Sequence, residues 1–149
     1  KAVSAGFRGL VQACVIYALA GMMNVEVRHD AWAVVAVLVT VVVGSAVFST
    51  FSLIIACIVK TRERFMGVGQ VLTMPLFFAS SAIYPLELMP DWLHVVARAN
   101  PLTYLVDALR QLMLPGPASL AWGVDLLVLA GVFALLMAVA VRLYPGLVR

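Results

Sequence analysis

Side chains able to transfer protons, attack a carbonyl or phosphoryl centre, or hold a metal are few in this sequence. The titratable candidates are His29, His94, Asp107 and Asp125, and their spacing matches no acid–base pair or activated nucleophile. His29 stands beside Asp30, but with no second cluster of His or Cys it is expected to be an exposed loop histidine, not a metal ligand. Cys14 and Cys57 sit in separate apolar runs and are expected to act as small hydrophobes, with no disulfide or metal. The segment GPASLAWG lacks the lysine, and the hydroxyl directly after it, that a nucleotide-binding loop needs, so no nucleotide is expected to bind this chain. What remains is a set of uncharged polar residues inside apolar runs: Gln12, Tyr17, Ser45, Ser49, Gln70 and Ser81. Such residues bridge helices or line a path through a membrane. A membrane-embedded enzyme, a channel or a plain scaffold is the alternative to a transport role.

The elements that hold those residues must be membrane helices. Of the 149 residues, 64% are hydrophobic and 11% charged, far below the roughly one quarter charged of soluble domains. The expected fold is an all-α integral membrane bundle occupying residues 1–149 as one transmembrane domain. Four spans are expected, over about 7–25, 31–59, 65–84 and 119–141, with Arg8 snorkelling from the first towards the headgroups. If Lys1 lies in the cytoplasm, the inner segments hold Lys1, Arg8, Lys60, Arg62, Arg64, Arg142 and Arg149, while the outer ones hold only Arg28, Arg98 and Arg110. That asymmetry is expected to leave both ends of the chain on the cytoplasmic side of the membrane. No basic run is interleaved with aromatics, so nucleic acid is not expected as a partner. The chain starts at Lys1 without Met and is expected to be part of a longer protein.

In the second span, Ser45, Ser49, Ser52 and Ala56 fall on one helical face and are expected to let another span approach closely. Lys60-Thr61-Arg62-Glu63-Arg64 reads as a cytoplasmic turn, either fixing topology or touching a cytoplasmic partner. In the third span, Pro75 removes a backbone hydrogen bond, and Gln70 must face protein or a wet cavity. That span runs straight into two short amphipathic helices, expected over about 90–99 and 101–114, each begun by a proline. Pro90 opens the first; Asn100-Pro101 caps and opens the second. Asp107 and Arg110, three apart, are expected to pair. Pro115-Gly116-Pro117 stops the helix, giving a short external re-entrant hairpin attached to four spans. Asp125 is expected to be an interfacial acid near the outer end of the last span.

The run from KTRERF through Gln70, Pro75, FFASSAIYP, LMPDWL and ARANPLTYLVDALR resembles the permease subunit of type-2 ATP-binding-cassette exporters. The residues that carry the likeness are Ser80, Pro85, Pro90, Trp92, Leu93, Asn100, Pro101, Leu102, Thr103, Tyr104, Asp107 and Arg110, with Ser81 standing where that family usually has glycine. The resemblance implies a six-span permease of which this chain holds the last four spans. It implies a permease homodimer or heterodimer in membrane lipid, and an ATP-binding cassette subunit that carries ATP and magnesium. A secondary contact with that subunit would fall on Lys60, Arg62, Glu63 and Arg64. The cargo it implies is a hydrophobic or amphipathic molecule such as a drug, antibiotic, glycolipid or polysaccharide.

Overall fold

The computed structural model describes residues 2–28, 30–115 and 122–147, and those residues form a helical bundle. In order, α1 is Ala2–Met22, α2 Ala31–Val59, α3 Arg62–Phe78, α4 Asp91–Ala99, α5 Pro101–Met113 and α6 Trp122–Leu143. Short 3-10 turns at Leu86–Leu88 and Tyr144–Leu147 complete it. α1, α2 and α6 are long and apolar enough to cross a membrane.

α2 is the axis. Its 29 residues carry no charge and extend about 43 Å at 1.5 Å per residue. One face is buried from end to end: Ala33, Ala36, Val37, Thr40, Gly44, Val47, Thr50, Ile54 and Cys57. The two threonines donate to the carbonyls of Ala36 and Ala46, both at 2.8 Å, so no hydroxyl is stranded on that face. α1, α5 and α6 all pack on α2. Close approach rests on two glycines. A Cβ on Gly9 would lie 2.6 Å from Ser45 Oγ and 2.8 Å from Val41 Cγ1, and one on Gly44 would lie 2.6 Å from Leu105 Cδ1.

The small-residue stripe is therefore displaced from its expected register. Ser45 does meet α1 at Gly9, but Ser49 is half-buried and Ser52 exposed, whereas Gly44, Val47 and Ile54 are buried. A helix apolar all round carries no periodicity to mark its inner face; its neighbours choose it.

Boundaries differ from expectation where polar atoms intervene. α1 ends at Met22, short of residue 25, because Asn24 takes a left-handed φ of 51°. The amides of Asn24 and Val25 then bond the carbonyls of Gly21 and Ala20, closing the helix. The basic turn shrinks to Lys60, left-handed at φ 57°, and Thr61, so Arg62, Glu63 and Arg64 form the first turn of α3. At the other end α3 stops at Phe78, six residues before Tyr84. The Ser80 hydroxyl donates to Phe77 O at 2.6 Å and accepts from Ala82 N at 3.3 Å, turning the chain out of the helix. At 17 residues α3 is about 26 Å long, and it buries none of its side chains. The expected beginning of the last span at Ser119, together with His29, Gly116, Pro117, Lys1 and Arg149, lies outside the described residues.

Candidate functional site: a polar clasp and two cavities

The turn after α3 is fastened to the start of α5 by buried polar atoms. Asn100 separates α4 from α5 in an extended conformation, and its Oδ1 accepts from Leu102 N at 3.0 Å as an N-cap. Its Nδ2 donates across the turn to Leu76 O at 2.7 Å. Leu76 O belongs to the last turn of α3, whose carbonyls have no partner within the helix. One side chain thus starts one helix and finishes another. The Ser81 hydroxyl donates to Thr103 O at 3.4 Å, and Arg110 Nη2 donates to Ser81 O at 2.8 Å. Ser80, Ser81, Asn100 and Thr103 are all at most 5% exposed. Tyr104 OH donates to Arg98 O at 2.7 Å, which ties the last turn of α4 to α5.

Around this clasp the expected motif residues divide into two groups. Ser80, Asn100, Pro101, Tyr104, Asp107 and Arg110 lie in it or on the adjoining helix, while Pro85, Pro90 and Trp92 are exposed. The hydrogen bonds of Asp107 and Arg110 run elsewhere than to each other: Arg110 to the Ser81 carbonyl, Asp107 from Gln111. The reason is reach, since the turn carbonyl of Ser81 lies 2.8 Å from the guanidinium.

Gln111 had no place in the sequence reading and is central here. Its Nε2 donates to Asp107 Oδ2 at 3.1 Å and to Asp125 Oδ2 at 2.8 Å, joining α5 to α6 through two carboxylates. The i,i+4 spacing of Asp107 and Gln111 was the available signal. Asp125 is not the interfacial acid expected: it is 0% exposed, because α5 covers it. Beside it, Trp122 Nε1 donates to Thr40 Oγ1 at 3.0 Å and stacks edge-on against Trp32. A further strap runs from Arg28 N to Met113 O at 3.0 Å, holding the α1–α2 connection to the end of α5.

Two cavities flank α2. One, about 210 Å³, lies between α1, α2 and α5 and has Arg8, Gln12, Tyr17, Val41, Leu109 and Met113 in its wall. The other, about 340 Å³, lies between α2, α3 and the start of α5, lined by Phe48, Phe51, Phe65 and Phe77 with Ser52 and Thr73. Of the six polar path candidates, Gln12 and Tyr17 share the first cavity. Gln70 is exposed on α3, Ser49 is half-buried, Ser45 abuts Gly9, and Ser81 is in the clasp. Lys60, Arg62, Glu63 and Arg64 are exposed at the α2–α3 corner, where Arg64 borders a shallow groove with Ile58, Val59 and Val68.

Arg8 is not at a helix end. It lies one residue before Gly9, which packs against Val41 and Ser45, 10 and 14 residues into the 29-residue α2. Its side chain is exposed and borders the first cavity beside Gln12.

The family described as the ABC-2 type transporter matches residues 1–114. Among curated relatives, the chain is 40% identical over 62 residues to the ycf38 product of Cyanophora paradoxa, covering 42% of this chain and 21% of that one. It is 32% identical over 109 residues to the daunorubicin resistance ABC transporter permease protein DrrB1 of Streptomyces coeruleorubidus, 73% of this chain and 38% of that one. It is 27% identical over 70 residues to nodulation protein J of Rhizobium meliloti strain 1021, 47% of this chain and 27% of that one. The matched stretches thus span well under half of each relative's length. No solved structure matches.

Proposed function

We propose, from the premise that this chain belongs to the ABC-2 type transporter family, that it forms part of the membrane permease of an exporter driven by ATP hydrolysis on a separate subunit. The observation that carries the reading is how α3 is held. Its outer end is fastened by the Asn100–Leu76 and Arg110–Ser81 bonds, and its inner end follows α2 after Lys60 and Thr61 alone. Between those ends none of its side chains is fully buried, Phe65 and Leu76 being half-buried, and it borders the phenylalanine-lined hollow. A helix fixed at both ends can tilt about them as a unit, opening or closing that hollow. α2 on the other side of that hollow cannot do so without breaking its Gly9 contact with α1 or its Gly44 contact with α5.

In this reading the basic corner Lys60, Arg62, Glu63 and Arg64 faces the cytoplasm and receives movement from the ATPase subunit, which holds ATP and magnesium. Two permease units pair in the cytoplasmic membrane, and α4 and α5 lie at the outer face. The chain itself performs no chemistry. The aromatic lining supports a hydrophobic or amphipathic cargo, and one relative is named for daunorubicin resistance. Gln70 and Ser49 lie on the same two helices as that hollow. The assay is transport in proteoliposomes holding permease and ATPase subunit. Replacing Arg62 and Arg64 with Ala should leave assembly intact and sharply lower cargo-stimulated ATP hydrolysis. Full coupling in that variant would refute the corner's role, and transport that persists with the ATPase disabled would refute the exporter reading itself.

A further inference from the structure

The charge of Arg8 is the least accounted-for feature of the bundle. It lies beside the Gly9 contact with Val41 and Ser45, far from either end of α2. A guanidinium in the wall of a largely apolar cavity favours an anion or water as its partner. The side chain of Arg8 is exposed, and the buried acids Asp107 and Asp125 both accept from Gln111. Arg8 and Gln12 are one helical turn apart and both line the 210 Å³ cavity, whose remaining wall includes Val37, Val41, Leu109 and Met113. That volume exceeds the roughly 150 Å³ that hold a benzene-sized guest. A cationic group, an amide and an apolar slot therefore meet in one place.

We infer that the cavity between α1, α2 and α5 binds the anionic end of an amphipathic molecule, with Arg8 as counter-charge, Gln12 as hydrogen-bond donor and the apolar wall taking the adjoining ring or alkyl segment. The guanidinium suits a phosphate, sulfate or carboxylate because its donors form a planar fork. The slot accepts only the first part of a chain; the remainder leaves along the exposed side of α1, towards lipid. The inference deepens the permease reading and rests on it only in calling the ligand cargo. Binding stands apart from transport and is measured without nucleotide.

The test uses the full-length permease with its ATPase subunit in phosphatidylcholine nanodiscs, and equilibrium dialysis of dodecyl phosphate, dodecyltrimethylammonium and dodecyl maltoside. Dodecyl phosphate should bind about tenfold or more tightly than the other two, a difference of about 1.4 kcal/mol. Arg8→Lys should keep most of that preference, Arg8→Gln should abolish it, and Arg8→Glu should turn it towards the ammonium probe. Adding phosphatidylglycerol separates two sources of the same chemistry. Competition identifies a lipid headgroup as the natural occupant, and no competition identifies a single-chain anion. Equal binding of the three probes to the unaltered protein overturns the inference without recourse to any variant. So does a preference that survives Arg8→Gln. If dodecyl phosphate binds as described but transport persists with the ATPase disabled, the site stands and the exporter reading falls.

Discussion

Asn100 is the residue whose replacement best tests the clasp, because its two functions can be removed separately. Its Oδ1 caps α5 through Leu102 N, and its Nδ2 bonds Leu76 O at 2.7 Å with only 5% of the residue exposed. Losing an N-cap costs about 1 kcal/mol. Stranding a part-buried carbonyl costs about 1–3 kcal/mol more. Asn100→Ala loses both and should destabilise the junction by about 2–4 kcal/mol. Asn100→Asp keeps the acceptor for Leu102 N but sets a carboxylate against the Leu76 carbonyl, so it should lose the larger share despite being the better cap. Asn100→Ser keeps a cap but cannot span the turn, and should fall between wild type and Asn100→Ala. Hydrogen exchange of the amides in residues 77–82, in the assembled transporter, reads the local opening free energy. The Ala variant should exchange about 30- to 1,000-fold faster there, at tenfold per 1.4 kcal/mol, with α6 little changed. If Asn100→Asp exchanged as wild type does, the Leu76 bond would carry no weight and the idea that one side chain ties α3 to α5 would be wrong.

Three further outcomes follow from the packing. Gly9→Val places two methyls where Ser45 Oγ and Val41 Cγ1 already stand, so α1 should separate from α2 at a cost of about 1–3 kcal/mol or more, seen as a lower unfolding temperature; Gly21→Val, with nothing near its Cα, should be close to neutral. Gln111→Leu deprives Asp107 and Asp125 of their shared donor and should cost about 3–5 kcal/mol; a triple change to Gln111→Leu with both acids made Asn should recover much of it, measured by the same unfolding assay. Because Arg110 bonds the Ser81 carbonyl and not Asp107, reversing both charges should rescue nothing relative to Arg110→Glu alone; recovered transport in the double reversal would restore the ion pair.

The relation of sequence to structure turns on what each kind of force records locally. Scarcity of charge and long apolar runs fix an all-helical membrane bundle, because only a helix satisfies its own backbone bonds in lipid. Pro90, Asn100 and Pro101 sit where local backbone chemistry breaks the chain, and the family likeness rides on those same residues. Residue type also marked Gln12 and Tyr17, which the fold brings to one cavity. The inner face of α2 was not legible, since a helix hydrophobic all round is oriented by Gly44 against Leu105 and Thr40 against Trp122, contacts across 61 and 82 residues. The end of α3 at Phe78, the partner of Arg110 and the burial of Asp125 were likewise decided in three dimensions. Each depends on a polar atom finding its complement on another helix, and a buried charge or carbonyl takes whichever partner the packing brings within reach, not the one nearest along the chain. For Arg8 the sequence supplied the charge and the tertiary structure alone supplied its place in the wall of a cavity.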